Sequence, residues 1–189
     1  MSAVIHEPRG ATIDDLALVE GKAELVNGEI VHMAPCGDDP SSAGLNVTLH
    51  LKEHQRRTGA GRAYTDNIGY AVDLPRRRSF SPDASYYFGP RNGMRFLSGP
   101  PAFAVEVRSE HDYGPRAERD MRQKRADYFS AGTTVVWDVD LRAADPIRKF
   151  TAELGPDTPS AVFGWGGVAD AEPAVRGWTM PVDDLRDEA

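Results

Sequence analysis

FAVEVRSEHDYGPRAERDMRQKRADYFSAGTTVVWDV, residues 103–139, is the stretch from which the rest of the chain can be read. Phe103 to Val107 is apolar apart from Glu106, and a short run of this kind reads as a strand. Pro115 to Ala131 reads as a helix. Proline suits a first helical turn, where its missing N–H leaves no bond unmade, and Gly132 suits the stop. Ala117, Met121, Lys124, Tyr128 and Ala131 recur at three- and four-residue steps and so share one stripe of that helix. Thr133 to Val139, rich in β-branched residues, reads as a buried strand.

Outward from this stretch, Thr12 and Asp15 bracket a capped helical turn. Ala23-Glu24-Leu25-Val26, Asn27-Gly28 and Glu29 to Met33 spell a β-hairpin, since Asn-Gly between two such runs is the strongest short hairpin signal. Pro35 to Ser42 reads as a loop. Leu45 to Arg57 reads as a helix with Leu45 and Leu49 on its apolar face, ending near Gly59. Ala63 to Leu74 holds one or two strands, with a bulge at Gly69. Pro75 to Ser81 is a basic loop carrying Arg76, Arg77 and Arg78, and Asp83 to Phe88 is β-type. Ile147 to Leu154, Ala161 to Gly164 and a tail with Trp178 complete the chain. The order of helix, strands, helix and further strands predicts a mixed α/β domain with a central sheet.

The chain has 189 residues, no internal repeat and no low-complexity linker, so residues 1–189 are expected to form a single domain. Its formal net charge of −7 argues against coating nucleic acid through overall charge. A nuclease is compatible with that charge, because it needs only a local basic patch and bound cations can offset its acids. Cys36 is the lone cysteine, which excludes an internal disulfide and a cysteine-based zinc site and fits a reducing cytoplasm. No window approaches the roughly 18 apolar residues of a membrane span. Met1 to Gly10 lacks an apolar signal core. A cytoplasmic protein without membrane contact is expected.

Three places carry chemistry. Asp83, after Pro82, is either a turn residue or an acid at a strand entry. Glu106 lies inside an apolar run. Alternation sets Ala104, Glu106 and Arg108 on one face, Phe103, Val105 and Val107 on the other. It is either half of an outward Glu106–Arg108 pair or an acid held inside. Lys124 is aimed at the core side of its helix. It either snorkels to water or points its amine at the acids. On the second of these readings, with the amine acting on a reacting phosphate or water, Lys124→Met would keep the stem packed and spare both stability and metal affinity. Two acids at strand ends make an oxygen site for a hard divalent cation, and an amine beside them can stabilise charge on a reacting phosphate oxygen. Arg108, Arg116, Arg119, Arg122, Lys124 and Arg125, with Arg76 to Arg78, are either a solvated face or a phosphate-binding rim. His50 and His54 stand at helical spacing without a third ligand and read as a solvated face.

Glu24 to Val31, Ser81-Pro82-Asp83, Val105 to Ser109, Lys124-x-x-x-Tyr128-x-x-x-Gly132, Val136 to Asp140 and Gly177 to Leu185 together resemble the Uma-type family of restriction-endonuclease-like proteins, a domain of unknown function within the PD-(D/E)xK nuclease superfamily. The resemblance covers nearly the whole chain, and the order of the six segments makes it specific. It implies a restriction-endonuclease-like core, a central mixed β-sheet flanked by helices with the N-terminal hairpin attached. Asp83 and Glu106 would be the motif acids. Lys124 would be a motif lysine moved from the strand to the following helix, and Glu24 an N-terminal acid near the same site. The chain departs from the family at Arg108, where an aliphatic residue is usual, at Glu110, where a proline follows the serine, and at Ala23, which replaces an aromatic. Arg108 occupies the lysine slot of the strand motif, where it could share the role of Lys124.

The resulting expectation is a metal-dependent endonuclease acting on DNA. Asp83, Glu106 and the Val107 carbonyl would bind Mg²⁺, with Mn²⁺ as a substitute, and two-fold cleavage of a duplex would suit a homodimer. The rival expectations are a nuclease fold without useful turnover, acting as a binding module, and a metal hydrolase for a small phosphorylated substrate.

Overall fold

A computed structural model describes residues 10–187. The opening stretch read for a signal core therefore lies outside the described residues, except for Gly10. In chain order the elements are α1 (Ile13–Leu16), β1 (Ala23–Val26), β2 (Glu29–His32), α2 (Asp38–Thr58), β3 (Arg62–Thr65), β4 (Tyr70–Ala71), β5 (Ser79–Phe80) and β6 (Ala84–Tyr87). They continue with β7 (Leu97–Ser98), β8 (Phe103–Val107), α3 (Pro115–Ala131), β9 (Val135–Val139), β10 (Ile147–Thr151), β11 (Ala161–Phe163), β12 (Val168–Asp170) and β13 (Thr179–Pro181), and close with a 3₁₀ turn at Val182–Leu185.

Six strands form the central sheet in the order β11-β10-β9-β8-β6-β3. β8 and β9 run parallel, joined by the crossover helix α3, and the other pairings are antiparallel, so the sheet is mixed. Every residue of β8 and β9 is buried, as expected for parallel strands covered on both faces. One face packs Phe103, Val105 and Trp137 against α2 (Val47, Leu51) and the C-terminal segment (Trp178, Met180, Leu185). Trp137 sits 5.1 Å from Phe103 and 5.3 Å from Trp178, ring centre to ring centre. The other face packs Ala104 and Val136 under Tyr128 of α3 and under a small sheet, β5-β4-β7, which brings Tyr70, Phe80 and Leu97. Glu106 and Asp138 project from this second face. No helix among the described residues is long and apolar enough to cross a membrane.

The capping box at Thr12 and Asp15 forms, and the hairpin turns at Asn27 (φ 52°) and Gly28 (φ 76°), the positive angles its turn type requires. α3 runs over the expected residues, and Gly132 (φ 112°) ends it by donating its N–H to the Tyr128 and Phe129 carbonyls.

α2 departs from expectation at its start and in its orientation. It begins at Asp38, inside the stretch read as a loop, because Pro40 falls in the first turn, where no N–H is needed. Its buried stripe is Ala43, Val47 and Leu51, whereas Leu45 and Leu49 are half exposed. His54 is buried edge-on to Tyr86, and His50 pairs with Asp184 at 2.8 Å, so the solvated-face reading fails for His54. Gly69 lies outside the strands. A Cβ there would fall 2.6 Å from the Phe96 ring, so close approach accounts for the glycine and the bulge does not.

Candidate active site

The hairpin docks along residues 76–79. Asn27 donates its N–H to the Arg76 carbonyl, Arg78 donates to Leu25, and the Leu25 N–H reaches the Ser79 hydroxyl at 2.8 Å. This seating carries Glu24 under α3. Glu24 Oε1 accepts the Ser81 N–H at 2.8 Å and lies 3.1 Å from Lys124 Nζ, and Oε2 is bound by the Arg77 guanidinium. Arg77 also donates to Asp127 of α3 at 2.9 Å and covers the Phe80 ring.

Glu106, in the middle of β8, faces α3. Its Oε2 accepts from Lys124 at 2.8 Å and its Oε1 from the Tyr128 hydroxyl at 2.6 Å. Tyr128 in turn is stacked on Phe80 at 4.0 Å. The i, i+4 spacing of Lys124 and Tyr128 puts both donors over the one carboxylate. Asp83 enters from the neighbouring chain segment just before β6. Its N–H bonds the Val105 carbonyl at 3.0 Å, and its Oδ2 accepts the Val107 N–H at 2.8 Å, so the residue bonds β8 on either side of Glu106. Asp83 Oδ1 is held by Lys22 Nζ at 2.6 Å, and the same amine is 2.6 Å from Asp66.

The carboxylates Glu24, Asp83 and Glu106 are thus interleaved with the cations Lys22, Arg77 and Lys124. Burial pushes the Glu106 carboxyl up. Lys124 opposes this, and the charges of Asp83 and Glu24 add to it. Burial acts against the charged form of Glu24 as well, but Lys124 and Arg77 outweigh it and hold that carboxyl below its ordinary value. Desolvation disfavours the ammonium of Lys124, yet Glu106 and Glu24 overcome it and raise its pKa. At Lys22 burial is likewise outweighed, by Asp83 and then Glu106. Burial, with the charges of Glu106 and Glu24, raises the Tyr128 phenol well above its usual value and keeps it a neutral donor. The site opens on the Asp83 side, where that side chain is 23% exposed against 11% for Glu106 and 4% for Glu24. A cavity lined by Ala23, Asn67, Ser81 and Phe96 lies next to it in the chain.

A family model described as "Uma2: Putative restriction endonuclease" matches residues 14–183. The chain belongs to the Uma2 family. A solved structure described as a "putative nuclease belonging to DUF820" from Anabaena variabilis ATCC 29413 superposes with a TM-score of 0.70 at 14% identity. The match covers 92% of this chain and 96% of that one, so the two share a fold. No curated protein matches the chain.

In this Uma2 chain the structure brings Asp83, Glu106, Lys124 and Glu24 into one connected cluster. Val107 joins it through its N–H. Among the described residues no three His, Cys, Asp or Glu side chains group in a way that could hold a metal ion. An outward Glu106–Arg108 pair is absent. Arg108 instead donates to Asp138 at 2.8 and 3.0 Å and to Glu118, and so is committed elsewhere than to the charge faced by Lys124. The proposed phosphate rim also dissolves in part. Arg77, Arg108 and Arg125 are buried in ion pairs, and Arg78 pairs with Asp73 at 2.7 Å. Sequence reasoning missed Lys22 and Arg77. The first was signalled by alternation, which sets positions 22 and 24 of an extended segment on one face. The second had no signal, since its partner Glu24 is 53 positions away.

Proposed function

We propose that this chain is a metal-dependent endonuclease that hydrolyses phosphodiester bonds in DNA. The observation that carries the reading is the approach of Asp83 and Glu106 along β8, with the Lys124 amine bound to Glu106. Family membership and the nuclease-like fold support it at a coarser level. The donor set is of the kind a hard divalent cation takes, two carboxylates and a backbone carbonyl, with Lys22 and Lys124 as the ammonium groups it would compete with. Asp83, Glu106 and the Val107 carbonyl are the groups that would hold Mg²⁺, or Mn²⁺ in its place. A bound ion of this kind lowers the pKa of water and polarises a phosphoryl oxygen.

The chain's own residues then have separable roles. Lys124 presents its ammonium beside the acids to orient the attacking water or to stabilise charge developing on the phosphate. Tyr128 fixes the Glu106 carboxylate by its hydroxyl. Glu24 has both oxygens engaged and acts as a positioning residue that fixes Lys124 from the side opposite Glu106. A two-fold dimer would let two such sites address both strands of a duplex.

One observation favours a second reading, a nuclease-fold binding module. Arg77, Arg108 and Arg125 point inward and the chain is acidic overall, which reduces the cationic surface offered to a duplex. Cleavage assays with Mg²⁺ and Mn²⁺ on plasmid DNA, single-stranded DNA and RNA separate the two, with Asp83→Ala as control. Metal-dependent nicking lost in Asp83→Ala is the expected result. Absence of cleavage on every substrate, with metal binding retained, would favour the binding module.

A further inference from the structure

Lys22 differs from Lys124 in one decisive respect. Lys124 is wedged between two buried carboxylates, Glu106 and Glu24, and cannot move without leaving charge unpaired in the interior. Lys22 has one partner inside the site, Asp83, and another at its mouth, Asp66, each at 2.6 Å from the same nitrogen. Asp66 is 46% exposed, and its carboxylate is fixed by the Asn67 N–H at 2.7 Å. The Lys22 backbone is anchored, since its carbonyl accepts the Met33 N–H at 2.9 Å. Only the amine is therefore free to redistribute.

We propose that Lys22 is an exchangeable counter-cation of the site: its ammonium neutralises Asp83 while no divalent ion is present and withdraws to Asp66 alone when Asp83 becomes a ligand. The inference rests on Asp83 being a metal ligand. Asp83 Oδ2 is tied to the Val107 N–H, so Oδ1, the oxygen under Lys22, is the one with freedom to accept a new partner. An ammonium and a divalent cation at the same oxygen repel strongly at this range. Asp66 keeps Lys22 ion-paired through the exchange, which lowers the cost of vacating Asp83. Lys22 is thus a positioning residue that sets metal affinity.

Calorimetric titration of Mn²⁺ into the full chain tests this without reference to activity. Lys22→Met and Lys22→Gln should each bind Mn²⁺ about tenfold more tightly than the parent, the scale of one close, partly buried charge pair. Lys22→Arg should restore the parent affinity. Asp66→Asn should weaken binding severalfold, because Lys22 is then left with Asp83 alone, and should have no effect added to Lys22→Met. Equal or weaker binding in both neutral Lys22 variants, with binding abolished in Asp83→Asn, would overturn the exchange while leaving the metal site standing. Unchanged affinity in Asp66→Asn would overturn the transfer to Asp66. Binding indifferent to Asp83→Asn, or absent from the parent and both neutral variants alike, would overturn the metal reading and this inference together. Circular dichroism and melting curves confirm that each variant is folded, and the two neutral replacements guard against one of them failing to fold.

Discussion

Glu106 and Glu24 share Lys124, yet their protons respond to it in opposite ways. Glu106 is held above its ordinary carboxyl value by burial and by its acidic neighbours. Between its unfolded and folded values the unfolded chain binds fewer protons, so ionisation of Glu106 subtracts from stability as pH rises. Glu106→Gln should therefore melt at a higher temperature than the parent at neutral to mildly alkaline pH without metal, by about 2–4 °C per kcal/mol relieved. The gain should vanish below about pH 3, where Glu106 is protonated in both states. Melts at the two pH values check this, and equal shifts at both would reject it. Glu24, held low, contributes stability that is fully present above its ordinary value and is lost as pH falls from there through its lowered one, so Glu24→Gln should destabilise at neutral pH. At Lys124 the stripe alone favours methionine as a harmless replacement. The ion pairs reverse that. Lys124→Met leaves Glu106 and Glu24 without their shared cation, a change of roughly 3–5 kcal/mol for a fully uncompensated buried charge. Arg77 still serves Glu24 and Glu106 can take up a proton, so the loss should fall at the low end of that range, read by urea unfolding at pH 7.

At the scale of elements, α2 offers a contrast between two leucines on one helix. Leu51 is fully buried against the sheet, whereas Leu49 is half exposed. Leu51→Ala should cost about 2–5 kcal/mol by opening a cavity, and Leu49→Lys should change stability by no more than about 0.5 kcal/mol. The reverse order in chemical denaturation would restore the face read from sequence. The misreading has a physical origin: α2 buries small residues, Ala43 and Gly44, beside Val47, while Leu45 and Leu49 point out. Hydrophobic periodicity weighs bulk, so a stripe of small residues is faint. The hairpin, β8, α3 and β9 were legible because local chemistry dictates them: Asn-Gly at a positive-φ turn, Pro115 and Gly132 at helix ends, apolar runs where strands are buried on both faces. The acids and Lys124 could be read from the same elements, since alternation and the helical stripe fix which face a side chain takes. Arg77 and the inward arginines were opaque. A charged residue in a loop declares nothing about a partner that only tertiary docking supplies.

At the scale of the molecule, the parallel pair β8–β9 must be locked to β10 and to the crossover helix for Glu106 and Lys124 to meet, and a second charge network does this. Asp138, fully buried on β9, accepts from Arg108 beyond the end of β8, from Arg125 of α3 at 2.9 Å and from Arg148 of β10 at 2.9 Å. Glu118 on α3 braces Arg108 from the outside at 3.0 Å. One carboxylate thus joins four consecutive pieces of the fold, and Arg125 also covers the Phe150 ring at 4.1 Å. Asp138→Asn keeps the shape and one acceptor but removes the charge that the three guanidiniums share. Uncompensated cations in the interior make this costly, about 3–5 kcal/mol, or roughly 2–4 °C of melting temperature for each kcal/mol in a protein of this size. Added salt should not recover the loss, because ions in water screen buried charges poorly. Asp83→Asn, at the open end of the site, should leave the melting curve of the metal-free protein nearly unchanged while removing metal binding. The pair of variants therefore separates the network that holds the sheet to its helix from the one assigned to chemistry. A salt-reversible loss in Asp138→Asn would mean that its arginines reach water, and that the site's geometry is fixed by apolar packing instead.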